Sequence, residues 1–454
     1  MPRDSIIPGP AYSAKWLLPF GVVVLSLTLR VWNITSLPIF IDESNNLRWA
    51  YDMLEQRTRM SLLIPIHEDG KQPLFIWLVA LAMRFFADPL VAGRIVSALA
   101  GSAATLGILL LGRWLDTWRT GLVAAFLYAL APYPVFFDRI GLMDGTIAAA
   151  SVWASCLGVR IAMGPSTQVR AILLGAALGT MMGIAVWVKM TGLFVLPIPL
   201  LCLLLVRKRR DLARACLALA VGYGLFALLA GIMVLLPEAE NLIEKGSHFS
   251  LTPAEILTFP LALWGKNAAA YISWLQTYLP SPLSWLVLAA VVWGLGTRRR
   301  ETLLLLGCWI SLAVPPILVG KDLFTSRYLV PSIPPLVVMV GLLMVKTWER
   351  GARAVHERLS LPHVHSISRG IGLLLLLATV APSAAFDIQL LTDPSRADLV
   401  EFDRFQYISG FPSGYGFREA IELIKSRAAE QGGEVIVLTD DFRMLPRDGA
   451  LVYL

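Results

Sequence analysis

Long apolar runs recur along this chain of 454 residues, and they restrict its fold more than any other feature. As a helix, a run of about 17 to 25 residues crosses roughly 30 Å of hydrocarbon, and none of the runs alternates like a strand of a membrane barrel. Composition agrees, since 56% of the residues are hydrophobic and only 16% are charged. We predict an all-α polytopic membrane protein with about 11 transmembrane helices, at residues 16–33, 90–112, 120–137, 145–162, 171–188, 192–206, 213–236, 282–296, 302–319, 328–346 and 370–390.

The formal net charge of +7 does not indicate a nucleic-acid partner. Lys and Arg instead stand in short clusters between the apolar runs, as the positive-inside rule requires of cytosolic loops. These clusters are residues 112–119, 206–214, 297–300 and 346–358. They share the cytosolic side only if the short segment 73–86, which carries Arg84, lies along the membrane as a juxtamembrane helix. We therefore expect the loops 34–89 and 237–281 to face the extracytoplasmic side of a cytoplasmic (inner or plasma) membrane.

The last part of the chain differs from the rest. Residues 1–390 hold the apolar runs, whereas residues 391–454 are polar and predict a helix at 417–431 and a buried strand at 434–441. This pattern indicates the start of a small extracytoplasmic α/β domain. One helix and one strand cannot bury a core, so we expect the natural protein to continue beyond Leu454.

Two adjacent carboxylates, Asp42 and Glu43, follow the first apolar run. An ionisable group near lipid is costly unless a cavity solvates it or a partner neutralises it, so their position indicates a site at the membrane surface. A carboxylate there can accept the proton of a hydroxyl that attacks a substrate. The alternative is that Asp42 only caps the interfacial helix that starts at Glu43, which would explain one carboxylate but not two.

Four cations and a third carboxylate are expected on the same face. Lys71 precedes the segment 73–86 at headgroup depth, where its ammonium could hold a lipid-linked phosphate or simply extend to the interface. Lys189 and Arg327 stand at the outer ends of spans, where they could stabilise a phosphate leaving group or act as anchors. Arg139 and Asp144 lie in a short connection between two spans, and Asp144 could instead cap the helix that follows it.

Metal ligands are scarce in the sequence. His67 and Glu68 could bind a metal ion together with Asp42, but one histidine among scattered carboxylates is a weak indication. The four cysteines lie in apolar runs without metal-ligand spacing. We therefore expect that no cofactor is required, and leave the need for a divalent metal open.

Taken in order, these strings resemble the GT-C class of membrane glycosyltransferases, above all the protein O-mannosyltransferases and the bacterial lipid A aminoarabinose transferases. In that pattern an acidic pair follows the first span, a Lys-Pro-Pro-Leu-like string opens a juxtamembrane helix, an Arg-x-x-x-x-Asp string lies on the outer face, and an Arg-Tyr-x-x-Pro string starts a late span. The matching strings are Asp42-Glu43, Lys71-Gln72-Pro73-Leu74, Arg139 to Asp144, and Arg327-Tyr328 with Pro331. The resemblance covers most of residues 16–345, and Gln72 departs from the doubled proline.

The resemblance implies a GT-C-like helical bundle that transfers a sugar from a polyprenyl-phosphate carrier to a hydroxyl of a protein, lipid or glycan, with inversion. It implies that Asp42 is the general base and that Glu43 and Asp144 orient acceptor or donor. By the same resemblance the cations Lys71, Arg139, Arg327 and Lys189 bind the donor phosphate. The implied partners are the polyprenyl-phosphate sugar, the acceptor and membrane lipids, without nucleic acid.

Two other functions fit the same composition. A transporter or flippase of lipid-linked sugars would show paired halves and helices broken near the bilayer midplane, whereas this sequence has no repeated halves. A polysaccharide polymerase or ligase would use arginines in a large outer loop, and residues 237–281 contain none. The absence of a nucleotide-binding motif fits a lipid-linked donor. The sequence therefore favours the glycosyltransferase.

Overall fold

The computed structural model describes residues 10–56, 60–321, 324–359, 364–432, 436–437 and 444–454, and its regular structure within these ranges is helical. The α-helices are α1 (Pro10–Val31), α2 (Ile41–Gln56), α3 (Ile64–Asp69), α4 (Leu74–Ala82), α5 (Pro89–Leu115), α6 (Trp118–Ala129), α7 (Pro132–Phe137), α8 (Asp144–Ala162), α9 (Gln168–Val188), α10 (Pro197–Leu201), α11 (Arg209–Val234), α12 (Glu240–Phe249), α13 (Pro253–Leu257), α14 (Leu261–Tyr278), α15 (Leu283–Thr297), α16 (Arg299–Val319), α17 (Ile333–Leu359), α18 (Val364–Thr392), α19 (Glu401–Arg404), α20 (Phe417–Gln431) and α21 (Met444–Tyr453). Short 3-10 helices cover Met60–Leu63, Met190–Val195, Cys202–Leu205, Ser326–Ser332, Pro394–Arg396 and Phe411–Ser413, and Phe405–Ser409 is a π-helix.

Within the described ranges, seven helices are long and apolar enough to cross a membrane, or eight if one bent pair counts as a span. They are Pro89–Leu115, Asp144–Ala162, Gln168–Val188, Arg209–Val234, Arg299–Val319, Ser326–Val355 and Gly370–Thr392. The bent pair joins α14 and α15 at 114°. A polytopic helical membrane protein is thus confirmed, but the predicted number of about 11 spans is not.

Prolines account for two of the differences. The predicted span 120–137 breaks before Pro132 into α6 and α7, because proline cannot continue the helical hydrogen-bond pattern. The predicted span 192–206 contains Pro197 and Pro199 and consists of short 3-10 and α-helical pieces. The first predicted span is present as the shorter apolar helix Leu17–Val31. Hydropathy registers such segments as apolar without showing where a helix stops.

The central helix of the bundle is α5, which packs against α1, α6 and α8. Beside it, α9 and α11 form an extensive pair in which small residues let the backbones approach closely. A Cβ atom added at Gly179 would lie 2.4 Å from the carbonyl oxygen of Gly222 on the facing helix. The packing of these helices leaves little room for larger side chains along that contact.

The basic loops lie at one end of the bundle. The carboxylate of Asp116 pairs with Arg298 Nη2 at 2.9 Å and with Lys346 Nζ at 2.9 Å, so three of the four predicted clusters meet there. Residues from the fourth cluster, Arg207 and Lys208, border the same cavity as Arg300. The shared sidedness predicted for the clusters is therefore confirmed by their contacts.

The opposite end carries the polar residues predicted to form a site. Helix α8 begins at Asp144 there and ends beside the basic cavity, and its 19 residues span about 28 Å. Helix α4 at the same end has nine residues, or about 14 Å, and is too short to cross the bilayer. The prediction that the segment 73–86 does not cross agrees with this length.

The regular structure that is described in the tail after α18 is helical. The predicted helix 417–431 is confirmed as α20 (Phe417–Gln431). The predicted strand 434–441 lies outside the described residues except for positions 436 and 437. A C-terminal α/β domain is therefore not confirmed.

A buried ion pair between Arg94 and Glu43 holds the segment after α1 in place. Arg94 Nε and Nη2 donate to the two oxygens of Glu43 at 2.8 and 2.7 Å, and both side chains are 1% exposed. The guanidinium also donates to the backbone carbonyl oxygens of Ile34, Leu37 and Pro38 at 2.7 to 2.8 Å. One side chain of α5 thereby fixes the path of the chain from α1 to α2.

Replacing Glu43 by Ala should destabilise the protein, because it leaves the Arg94 charge buried without its partner. Loss of one member of a buried pair typically costs about 3–5 kcal/mol. We expect a clearly lower midpoint of thermal unfolding for the detergent-purified variant. The matched control is Arg119→Ala, which breaks the exposed pair with Glu349 and should shift the midpoint little. Equal shifts for both variants would contradict the role given to this pair.

Candidate active site

Two ion pairs bring four of the predicted site residues together. Arg327 Nη2 lies 2.6 Å from Asp42 Oδ2, and Lys189 Nζ lies 2.5 Å from Asp144 Oδ1. The ring of Tyr328 lies near both cations, with its centre 5.5 Å from the Arg327 guanidinium carbon and 4.3 Å from Lys189 Nζ. Four distant segments of the chain thus contribute to one cluster of charges.

The turn at Gly70 positions Lys71. Gly70 has a φ of 55° and ends α3, and its N–H and that of Lys71 donate to the carbonyls of Ile66 and Pro65 at 3.0 and 2.9 Å. Any Cβ at Gly70 would lie 2.0 Å from the backbone oxygen of Asn241, so only glycine fits this left-handed turn. Lys71 Nζ then lies 5.0 Å from the ring centre of Trp49 on α2.

Asp42 is an anion in this environment. Burial raises the pKa of its carboxyl, but the charges of Arg327, Lys71 and Lys189 and the hydrogen bond from Arg327 outweigh it and lower the pKa to about 2. Asp42 is therefore ionised at every physiological pH. A carboxylate with so low a pKa is also a weak base for as long as these cations surround it.

Arg327 has hydrogen-bonding capacity left over. Its side chain is only 11% exposed, and its Nε and Nη1 atoms are buried without a hydrogen-bond partner. Buried donors on a charged group are costly to leave unpaired, so such a group is well placed to take the oxygens of an anion. Asp42 beside it is 29% exposed, which leaves the pocket open on that side.

The structure places Glu43 outside this pocket. Besides the two bonds from Arg94, its carboxylate accepts the backbone N–H groups of Phe40 at 2.9 Å and Gly141 at 2.6 Å. The four donors occupy both oxygens of the carboxylate, so Glu43 has no free acceptor position with which to orient a substrate. This corrects the expectation from the sequence: Glu43 holds Asp42 and the loop before Asp144 in position.

Arg139 also has a different environment from the one predicted. Its guanidinium donates to the carbonyl oxygens of Leu29, Trp32 and Asn33 at 2.6 to 2.9 Å. These carbonyls belong to the last turn of α1 and to the two residues that follow it, so Arg139 caps the end of that helix. Burial lowers the pKa of Arg139 to about 10, with Arg94 adding to the effect.

The two metal candidates from the sequence point to separate partners. His67 Nδ1 pairs with Glu238, and Glu68 pairs with Arg48 and accepts from Trp49 Nε1 at 3.0 Å. No group of three or more His, Cys, Asp or Glu side chains in the described part of the chain could hold a metal ion. The site as it stands is built from ion pairs.

The motifs in the sequence did not single out three residues that lie near the site. Arg94 stands inside an apolar run, and that position alone marks a charge that needs a partner. Asp403 and Tyr407 come from the tail, where the sequence carries no signal that separates them from other polar residues. Asp403 is buried and accepts hydrogen bonds from Ser326 Oγ at 2.6 and 2.8 Å, directly before Arg327.

Comparison with known proteins matches both the sequence and the fold. Residues 70–236, about a third of the chain, match the family model described as dolichyl-phosphate-mannose-protein mannosyltransferase. No curated protein matches the sequence.

Solved structures share the fold at low identity. ArnT from Cupriavidus metallidurans bound to undecaprenyl phosphate is 17% identical with a TM-score of 0.54, covering 97% of this chain and 85% of that one. The Archaeoglobus fulgidus oligosaccharyltransferase with Zn and sulfate is 14% identical with a TM-score of 0.58, over 83% of this chain. This chain spans only 53% of the length of the archaeal protein. The shared fold, and a family match over residues 70–236, agree with the resemblance to the GT-C class that the motifs show.

Proposed function

We propose that this protein transfers a sugar from a polyprenyl-phosphate-linked donor to a hydroxyl group of a protein, lipid or glycan. The observation that carries the proposal is the pairing of Asp42 with Arg327, whose two remaining buried donors have no partner. A base for the acceptor and a cation for the donor phosphate thus stand side by side. Lys71 and Lys189 add positive charge at the same place.

Donor binding activates the base in this proposal. The phosphate takes the unpaired N–H donors of Arg327 and brings negative charge next to Asp42. Both effects weaken the positive electrostatic potential that holds the pKa of Asp42 at about 2, so the pKa rises and the carboxylate becomes a stronger base. The enzyme therefore acquires an effective base only when a donor is present.

The transfer itself is a single displacement. The acceptor oxygen attacks the anomeric carbon and its proton passes to Asp42, while the bond from that carbon to the phosphate oxygen breaks. The electron pair of that bond stays with the phosphate of the carrier, whose growing charge Arg327, Lys71 and Lys189 stabilise. Attack from the face opposite the leaving phosphate inverts the anomeric carbon.

Asp144 acts through Lys189 in this scheme. Its carboxylate lies 2.5 Å from Lys189 Nζ and holds the ammonium beside Tyr328. The first residue of α8 is thereby linked to the phosphate site, and Asp144 orients Lys189, whereas the resemblance implied that it orients acceptor or donor directly. We propose that these protein cations supply the charge that the phosphate needs.

Structural relatives support the kind of donor. ArnT from Cupriavidus metallidurans has been solved with undecaprenyl phosphate, and AglB from Archaeoglobus fulgidus with dolichol-phosphate and an inhibitory peptide. The AglB structure shares the fold at 14% identity and a TM-score of 0.54. Lipid phosphates therefore occur in proteins of this architecture, and the charges around Asp42 provide a matching site in this chain.

The site faces the extracytoplasmic side in this proposal. Basic loops mark the cytosolic end of helical membrane proteins, and the clusters around Asp116 and Arg300 lie at the end opposite Asp42. A lipid-linked donor on the outer face needs no nucleotide-binding segment.

Substitutions of the proposed base and of the phosphate-binding cations should change different kinetic constants. Asp42→Asn keeps the shape but removes the basicity, so turnover should fall by about 10²- to 10⁴-fold with donor KM near that of the parent. Arg327→Ala and Lys71→Ala remove charge from the phosphate site and should raise donor KM roughly tenfold or more. The measurement is steady-state transfer from a polyprenyl-phosphate sugar by the purified protein.

Arg418→Ala is the matched control, because Arg418 is an exposed arginine in the tail and lies outside the proposed site. Its donor KM and turnover should equal those of the parent. Arg327→Lys should recover part of the donor affinity, since it restores the charge without the paired N–H groups. Parent-like turnover of Asp42→Asn would end the assignment of the base.

Cysteine labelling tests the sidedness. In a background with the exposed Cys216 replaced by Ser, Ser395→Cys and Ser166→Cys place single accessible thiols at the two ends of the bundle. A membrane-impermeant maleimide on intact cells should label position 395, and should label position 166 only after the cells are opened. The reverse pattern would place the site on the cytosolic face.

A further inference from the structure

The segment 393–413, which follows the last span, returns to the end of the bundle that carries the site. Its Asp403 is completely buried and accepts hydrogen bonds from Ser326 Oγ at 2.6 and 2.8 Å and from Tyr278 OH at 2.5 Å. Ser326 begins the 3-10 helix Ser326–Ser332, which carries Arg327. Asp403 thus anchors the tail to the side chain of Ser326, the residue directly before the arginine.

Four residues later in this segment comes Tyr407, which lies close to the same arginine. The ring of Tyr407 is 2% exposed and its centre lies 4.6 Å from that of Phe40. The guanidinium carbon of Arg327 lies 5.6 Å from the same Phe40 ring. Arg327 and Tyr407 therefore lie against one aromatic ring, that of Phe40, which directly precedes α2 and stands two residues before Asp42.

The Tyr407 hydroxyl is buried without a hydrogen-bond partner. Burial raises the pKa of Tyr407 well above its usual range, while the charge of Arg327 acts in the opposite direction. The hydroxyl therefore keeps its proton and is available as a hydrogen-bond donor. The two residues beside the Phe40 ring thus carry three hydrogen-bond donors without partners: the Tyr407 hydroxyl and the Nε and Nη1 groups of Arg327.

We propose that Tyr407 is a donor-binding residue, whose hydroxyl donates a hydrogen bond to the phosphate of the polyprenyl-phosphate donor held by Arg327. A phosphate has enough acceptor oxygens to satisfy all three donors, which no protein group in the described structure does. It enters from the open side at Asp42 and separates Asp42 from Arg327. This inference rests on the proposed function and adds to it a residue of the tail.

Tyr407→Phe tests the hydroxyl alone, because the ring and its contacts with Phe40 are kept. We expect donor KM to rise roughly tenfold, since a hydrogen bond to a charged group is lost, with a much smaller change in kcat. The affinity for undecaprenyl phosphate without sugar should fall by the same factor. Tyr415→Phe, in the exposed part of the tail, is the control and should match the parent in both measurements.

The thermal unfolding midpoint separates binding from structure. If the hydroxyl only supports the fold, Tyr407→Phe lowers the midpoint and leaves the affinity for undecaprenyl phosphate unchanged, which overturns the proposal. If Tyr407→Phe binds this lipid like the parent while Arg327→Ala binds it weakly, the role of Tyr407 is overturned. The proposed function still stands in that case. If Arg327→Ala also binds it like the parent, the proposed function itself fails.

A double variant gives a second, independent readout. If both residues bind one phosphate, the loss of affinity in Tyr407→Phe combined with Arg327→Ala should be smaller than the product of the two single losses, because Tyr407 depends on the phosphate position that Arg327 sets. Independent, multiplying effects would show that Tyr407 does not share the phosphate with Arg327.

Discussion

The outer end of the bundle depends on the ion pair between Arg94 and Glu43. Arg94 is carried by α5, the central helix, and its guanidinium fixes both Glu43 and the carbonyl groups of the chain before α2. Glu43 in turn accepts the N–H of Gly141, so the connection that leads to Asp144 is tied to the same point. Because Asp42 is the covalent neighbour of Glu43, one buried pair sets the position of both acidic residues of the site. A pair of this kind is costly to bury, and it is tolerated here because every oxygen of the carboxylate has a donor.

The charges of the site differ from this structural pair in one respect. Arg94 and Glu43 are fully hydrogen-bonded by each other and by nearby backbone groups, whereas Arg327 keeps two donors without partners beside Asp42. The first arrangement is suited to holding backbone in place, and the second to receiving an anion. Charge interactions in a poorly solvated site are strong, so a phosphate bound there, as we propose, would also change the protonation behaviour of Asp42.

The tail is part of the same assembly. Asp403 contacts Ser326, and Asp448 of α21 lies 2.8 Å from Arg48 Nε on α2. Residues after the last span therefore contact the two segments that carry Arg327 and Asp42. The sequence predicted this region as a separate α/β unit, because polar composition shows that a segment leaves the membrane but not what it packs against.

Local chemistry in the sequence determined the polytopic helical architecture and most of the candidate site residues. Apolar runs longer than the bilayer is thick, basic clusters between them and charges at span ends are readable without a structure, and they single out Asp42, Lys71, Asp144, Lys189 and Arg327 as candidates. Tertiary structure alone decided which charges pair with each other, since Arg327 and Asp42 are 285 positions apart. For that reason Glu43 and Arg139, which look equivalent to the others in the sequence, have structural partners, while Tyr407 of the tail packs against the same Phe40 ring as Arg327. Hydropathy is a property of a segment, but a salt bridge is a property of two segments that only folding brings together.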